Sequence, residues 1–206
     1  ILQHAAGYAF YNTSKYDMRS ATGDPTNLRQ NLQAYVDGFS PNVRDVFEKY
    51  DFANQLAKLD QADLLLLVTQ DFLSIDLHPE KVDNADMGNI FEDLIGKAME
   101  ASNEEAGEYF TPRDVVRLMV ALIFAPDGDA LTTPGAVRSI YDPTSGTGGM
   151  LSVADNYIRS LNPDARLTLY GQEFNEESYA ISKTDLMIHG HGRPKHYDTS
   201  LRWGVP

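Results

Sequence analysis

Cysteine is absent from the sequence, which removes disulfide frameworks, thiolate nucleophiles and cysteine-based metal sites together. Nothing therefore argues for an oxidising compartment, and cytoplasm is the expected one. Long apolar runs are absent too: Leu64 to Val68, for one, falls far short of the about 20 residues that span a bilayer. It is read as a short buried stretch, and no membrane insertion is expected. The chain opens on Ile1, and the stretch ILQHAAGYAFYNTSKYDMRS has no basic region ahead of an apolar core. That end is read as trimmed rather than as a signal peptide. Basic residues are scarce, 17 against 30 acidic ones, for a formal charge of −13. Gripping a nucleic acid by its phosphates needs a basic face that displaces counterions. The chain alone is thus expected to bind DNA poorly, and any DNA substrate would have to be held mainly by a partner or by further sequence.

What is present suffices for a core: 42% of the 206 residues are hydrophobic and 10% aromatic, enough for one large domain or two modest ones. No internal repeat or low-complexity segment is evident. From Asp24 to about Ser102 the pattern is helical, with starts at Asp24-Pro25 and Ser40-Pro41 and a stop at Gly38. Val43, Val46, Phe47 and Tyr50 share one helix face, ADLLLLVTQDFLSI reads as a mostly buried helix broken by His78-Pro79, and Asn84 to Ala101 as an amphipathic one. Thr111 is expected to cap a helix beginning at Pro112, with Val115, Val116, Leu118, Met119, Leu122 and Ile123 on its core side and Pro126 as its end. APDGDALTTPG reads as a connecting loop. Beyond it, VRSIYD, a glycine turn, MLSVADNYIRSL, RLTLYGQE and Glu176 to His189 alternate strand and helix, which implies a parallel sheet. Only these two strands are clear, too few for a stable doubly wound sheet, so the sheet is read as incomplete.

The strongest chemical signal is Asp142-Pro143-Thr144-Ser145-Gly146-Thr147-Gly148-Gly149, between a strand and a helix. Glycines let backbone approach a ligand without Cβ interference, and an acid at a strand end can accept from a ligand's amine or hydroxyl groups. A P-loop would need Gly-Lys-Ser/Thr, and no Lys is present; a dinucleotide fingerprint would need a third glycine where Leu151 stands. A glycine-rich turn with no ligand remains open on this motif alone. Glu173 closes the next strand, where an acid can hold a ribose diol; a solvated acid beside the Glu176-Glu177 helix start is the plainer alternative. In Gly107 to Arg113, Tyr109 and Phe110 precede a helix start whose N–H groups could receive a carboxylate, or they form a hydrophobic staple. The histidines, His4, His78, His189, His191 and His196, sit at no metal-ligand or triad spacing from an acid, so no metal site is expected. No Gly-x-Ser-x-Gly elbow occurs.

Taken together, ADMGNIFEDLIGKAMEASNEEAGEYFTPRDVVRLMVALI (Ala85 to Ile123), DPTSGTGG and GQEFNEESYAISKTDLMIHG, in that order, resemble the modification subunits of type I restriction-modification systems, an N6-adenine DNA methyltransferase family. The resemblance implies an α-helical N-terminal domain, 1–103, that helps dock partners and close over DNA. It implies that 104–206 begin an α/β Rossmann-like domain for S-adenosylmethionine. Glu108, Tyr109, Phe110, Thr111, Pro112 and Arg113 resemble the element holding the cofactor's methionine portion. Asp142, Ser145, Gly146, Thr147, Gly148 and Gly149 resemble its first methyltransferase motif, and Glu173 the acid on the ribose hydroxyls. His196 to Leu201 is similar to a Gly-Asp-Thr-Leu element that sets Asp198 near the adenine ring, with Tyr197 in place of the usual Gly. The family's catalytic Asn-Pro-Pro-Phe run does not occur in these residues, so no catalytic residue is assigned and the chain alone is expected to be inactive. In the family that motif holds an adenine swung out of the duplex for direct methyl transfer. The family's partners are a specificity subunit that reads the DNA sequence and a motor nuclease subunit. Two rival readings are a noncatalytic subunit-interaction module and a methyltransferase acting on a small molecule or protein.

Overall fold

The computed structural model describes residues 10–78, 80–82, 87, 90, 91, 93–97, 111–190 and 198–203, with backbone alone at 189, 190 and 198–203. The chain divides into two compact units, Ile1–Asp83 and Asn84–Pro206.

The first unit is helical: α1 Met18–Thr22, α2 Leu28–Asp37, α3 Pro41–Lys49, α4 Phe52–Gln61 and α5 Leu65–Ser74. α1 precedes the expected first start at Asp24. It is nucleated by a capping box in which the Asp17 carboxylate accepts from Ser20 N–H at 2.6 Å while Ser20 Oγ accepts from Asp17 N–H at 2.9 Å. Pro25 opens a 3₁₀ turn, Pro25–Asn27, that runs into α2, and Pro41 opens α3, both where a missing N–H costs nothing. Ser40 marks that start without capping it: its buried hydroxyl donates to Asn42 Oδ1 at 2.7 Å and accepts from Tyr11 N–H at 3.3 Å.

Gly38 does end α2, but with an ordinary right-handed φ of −74°. Its glycine identity answers to a close approach instead. A Cβ there would meet Asn12 Oδ1 and stand 2.6 Å from both Ser14 N and Ser14 Cβ, because Thr13 N–H donates to Gly38 O and Ser40 N–H to Tyr11 O. Ala21, Leu28, Leu32, Leu56 and Leu65 form the core, and Phe47 stacks on Phe39 at 5.8 Å and meets Phe52 edge-on at 4.9 Å. The expectation for α5 needs correction. Only Leu65 and Thr69 are buried, while Leu64, Leu67, Phe72 and Ile75 are exposed, and the helix ends at Ser74, ahead of His78. The helix is apolar on most sides, so composition could not say which side packs. Of the helix expected over Asn84 to Ala101, residues 93–97 are helical and much of the remainder lies outside the described residues.

The second unit contains α6 Arg113–Phe124, a 3₁₀ turn at Ala125–Asp127, α7 Gly128–Thr132, β1 Val137–Asp142, α8 Gly149–Leu161, β2 Arg166–Glu173, α9 Glu176–Gly190 and β3 Asp198–Trp203. The sheet is parallel, ordered β1-β2-β3, so a third strand joins the two that were expected. Its pairing runs from Val137 opposite Arg166 to Asp142 opposite Gly171, and from Thr168 opposite Asp198 to Glu173 opposite Trp203. α8 and α9 lie on one face, where Leu151, Leu169 and Leu186 pack together against Ile140. The alternate residues Val137, Tyr141 and Tyr170 are exposed on the other.

The expected loop at 125–135 is mostly ordered helix. Leu131 is buried beside Ile158 and Leu167, and Asn162 Nδ2 donates to both Leu131 O and Thr133 O at 2.9 Å. α6 turns Val116 and Val120 to Val153 and Ala154 of α8. Of the expected core set only Val116 is buried; Val115, Leu118, Met119, Leu122 and Ile123 are exposed. Valines at i and i+4 make a second apolar stripe on this helix, and the pattern alone could not rank the two.

Candidate functional site

The carboxyl ends of β1 and β2 stand side by side, the edge at which parallel α/β sheets take ligands. β1 ends in Asp142, whose Oδ1 accepts from Thr144 N–H at 3.0 Å and starts the turn. The chain then passes through Gly146 at φ +52° and Gly148 at φ +88° before α8 begins at Gly149. Both conformations favour glycine. Gly148 has a second reason, since a Cβ there would sit 2.5 Å from Ser182 Oγ of α9.

The turn is strapped to β2. Ser145 N–H donates to Gln172 O at 2.9 Å, Gly146 N–H donates to Glu173 Oε2 at 2.8 Å, and Tyr141 OH donates to Gln172 Oε1 at 3.1 Å. Glu173 Oε1 accepts from Phe174 N–H at 2.8 Å and Asn175 N–H at 2.7 Å. A carboxylate offers about four acceptor positions, so three backbone donors fix Glu173 and leave capacity for a ligand hydroxyl. Asn175, which the sequence reading missed, starts α9 by accepting from Ser178 N–H at 2.9 Å. Its position just before Glu176-Glu177 was the available signal. Ser145 Oγ is buried and has no partner among the described residues. A buried hydroxyl without a partner suits a site that receives a polar ligand.

Thr111 does not cap α6. The helix begins at Arg113, Pro112 occupies the cap position, and no side chain supplies a cap bond. Burial lowers the Arg113 pKa from its ordinary value, and the negative charge of Asp185 on α9 opposes that effect. Glu108, Tyr109 and Phe110 lie outside the described residues. Thr147 is half-buried within the turn. The backbone of Asp198 opens β3 opposite Thr168, at the other end of the strands from Glu173. The sheet therefore brings Asp142, Ser145, Gly146, Gly148 and Glu173 together and does not bring Asp198 to them. No group of acids and histidines able to hold a metal occurs among the described residues, and none of their helices is long and apolar enough to cross a membrane.

A glycine turn tied to an acid on the neighbouring strand lets backbone and a carboxylate approach the same space, and the same stretch carries a family signature: the model for N-6 DNA Methylase matches residues 82–202. The chain belongs to the N-6 DNA methylase family. It is similar to the EcoEI methylase subunit, a type I restriction enzyme subunit of Escherichia coli, with 30% identity over 78% of this chain and 31% of that protein. The MjaIX methylase subunit of a type I restriction enzyme from Methanocaldococcus jannaschii is also 30% identical, over 77% of this chain and 26% of its own length. The chain thus spans about a third or less of these curated relatives. Its fold matches the crystal structure of a type I restriction-modification system methyltransferase subunit from Streptococcus thermophilus, with TM-score 0.66 and 21% identity over 98% of this chain and 42% of that one.

Proposed function

We propose that this chain is the cofactor-binding part of a type I modification subunit, which uses S-adenosylmethionine to methylate adenine N6 in DNA. The observation that carries the reading is the bond from Gly146 N–H to the Glu173 carboxylate, which unites the glycine turn and the β2 acid in one site. S-adenosylmethionine supplies an electrophilic sulfonium methyl when bound. Glu173 would accept the ribose hydroxyls, Gly146 and Gly148 would let the backbone come close, and Thr111 to Arg113, with Glu108, Tyr109 and Phe110 before them, would hold the methionine end. Asp142 and Ser145 would meet its polar groups, and Thr147 and Gly149 complete the turn. An Asn-Pro-Pro-Phe motif, which does not occur in these residues, would present the adenine, and a specificity subunit would choose the DNA site. The net charge of −13 supports a partner that supplies the phosphate contacts. A motor nuclease subunit would join for restriction, and the cytoplasm is the compartment where these parts meet. The helical part, 1–103, would dock partners.

Titrating the chain with S-adenosylmethionine tests the cofactor half of this proposal. Saturable binding is expected, with Glu173→Ala weakening it at least about tenfold, the scale of a lost charge-assisted hydrogen bond. No binding by the intact chain would sink the reading. The reaction is tested in the full-length modification subunit with its specificity subunit, by following labelled methyl into duplex DNA. Label recovered as N6-methyladenine is expected, and label in cytosine or in protein rejects that assignment. A noncatalytic interaction module is the second reading, favoured by the exposed Leu67 and Phe72 of α5 and Ile75 just after it. Capture of the specificity subunit by a chain that binds no cofactor would select it.

A further inference from the structure

Behind the glycine turn, polar residues join α9 to the start of α8 at positions one helical turn apart. At the nearer position Gly148 rests on Ser182: the three atoms closest to a Cβ placed on the glycine all belong to Ser182, which is fully buried. One turn further along both helices, Ser152 Oγ donates to Asp185 Oδ2, and both residues are buried. Ser152 is tied to the turn through its backbone as well, since its N–H donates to Gly148 O at 3.0 Å. Leu151 and Leu186 pack between the same helices. Apolar contact is non-directional, however, and alone would let α8 slide or rotate on α9. A hydrogen bond has a required direction, so Ser152 and Asp185 fix the register in which Gly148 meets Ser182. The turn is thereby held from both sides. In front, Ser145 N–H and Gly146 N–H donate to Gln172 O and Glu173 Oε2 of β2; behind, Ser182 fills the space that a side chain at 148 would need.

We infer that Ser152 is a positioning residue, whose hydrogen bond to Asp185 clamps the first turn of α8 to α9 and so keeps the backbone of Gly146 and Gly148 in place beside Glu173 for the cofactor. The inference rests on the cofactor reading above. Its chemistry separates positioning from plain stability. Removing the Ser152 hydroxyl alone leaves the Asp185 carboxyl buried without that donor, which costs stability, whereas removing both polar groups strands neither and can be nearly neutral.

The test uses the whole chain, with calorimetric titration by S-adenosylmethionine, urea unfolding, and amide exchange read at residues 146–152 against residues 167–171 of β2. Ser152→Ala is expected to weaken binding by about tenfold, the scale of one lost charge-assisted hydrogen bond. Exchange at 146–152 should quicken about tenfold more than in β2, because the opening is local. Ser152→Ala/Asp185→Ala should unfold at a higher urea concentration than Ser152→Ala, yet bind as weakly and exchange as fast at the turn. Equal quickening in both segments of Ser152→Ala, or none, overturns the inference, as does unchanged binding. Recovery of tight binding in the double variant overturns it too, since a residue that served stability alone would be relieved there. If the unsubstituted chain binds no S-adenosylmethionine, the cofactor reading falls, and the exchange comparison, which needs no ligand, still decides whether Ser152 holds the turn.

Discussion

α6 and α8 pack against each other, yet they use their apolar residues in opposite ways. α8 is enclosed: Leu151, Val153, Ala154 and Ile158 are buried between the sheet, α6 and α9. α6 fully buries only Val116 and Val120, packs its last residue Phe124 partly buried against Tyr157 of α8 at 6.0 Å, and leaves Leu118 at 60% and Leu122 at 66% exposure. Both helices are comparably amphipathic on paper, so the difference is one of neighbours and not of composition. A helix bounded by strands on either side in sequence is placed on the sheet by its own connections. α6 is joined in sequence to β1 through the 3₁₀ turn and α7, and it meets α8 through Val116, Val120 and Phe124. An apolar face is thus a requirement for burial, whereas which face is buried depends on what the connections bring near.

The sharpest way to break this contrast is to truncate one residue on each helix. Ile158→Ala in α8 should cost about 2–5 kcal/mol, as expected for an enclosed site that cannot collapse, whereas Leu122→Ala in α6 should stay within about 0.5 kcal/mol. Urea unfolding of the two variants, read by circular dichroism, checks both; equal costs would mean that α6 is covered in solution. Next in size comes the turn that leads into α8. Gly148→Ala combines a left-handed φ with the approach of Ser182 and should lose about 1–3 kcal/mol. Gly149→Ala, at an ordinary φ and with open space around it, should be neutral or slightly stabilising by the same unfolding measurement. The smallest effect belongs to α1, whose cap depends on a fully exposed carboxylate. The Asp17 pKa lies below its ordinary 3.8, chiefly because the backbone N–H and then the hydroxyl of Ser20 bond to it. A depressed carboxylate stabilises fully above 3.8 and loses that contribution as pH falls through the lower folded value. Amide exchange at Ser20 and Ala21 should therefore quicken on acidification through that window, and Asp17→Asn should flatten the response.

Much of the site could be read in the sequence because its parts are local. The glycine turn, its leading Asp142 and the closing Glu173 each answer to constraints within a few residues: a positive φ, a strand end, a helix start. The helix starts at Pro25 and Pro41 were legible for the same reason, since proline acts through its own ring. Less was legible where the reason lay across the fold. Gly38 was recognised as a stop, but its cause is the crossing of residues 11–14. Thr111 looked like a cap, yet Pro112 stands at that position and α6 begins one residue later. β3 escaped notice because DTSLRW alternates weakly, and its strand character rests on pairing with β2. Asp185 and Ser152 gave no signal, being ordinary polar residues inside helical patterns.

By itself, the sequence determined the kinds of structure present, the order of strand, turn and helix around Asp142 to Glu173, and the exclusion of cysteine chemistry. These follow from backbone preferences and side-chain chemistry, which act over one or two turns. Only the tertiary structure decided that the Gly146 N–H meets the Glu173 carboxylate, that Ser152 meets Asp185, and that α6 turns Val116 and Val120 and not its leucines inward. Those outcomes depend on pairing register and on the packing of elements far apart in the chain, and contact energies between distant residues leave no periodic trace in sequence.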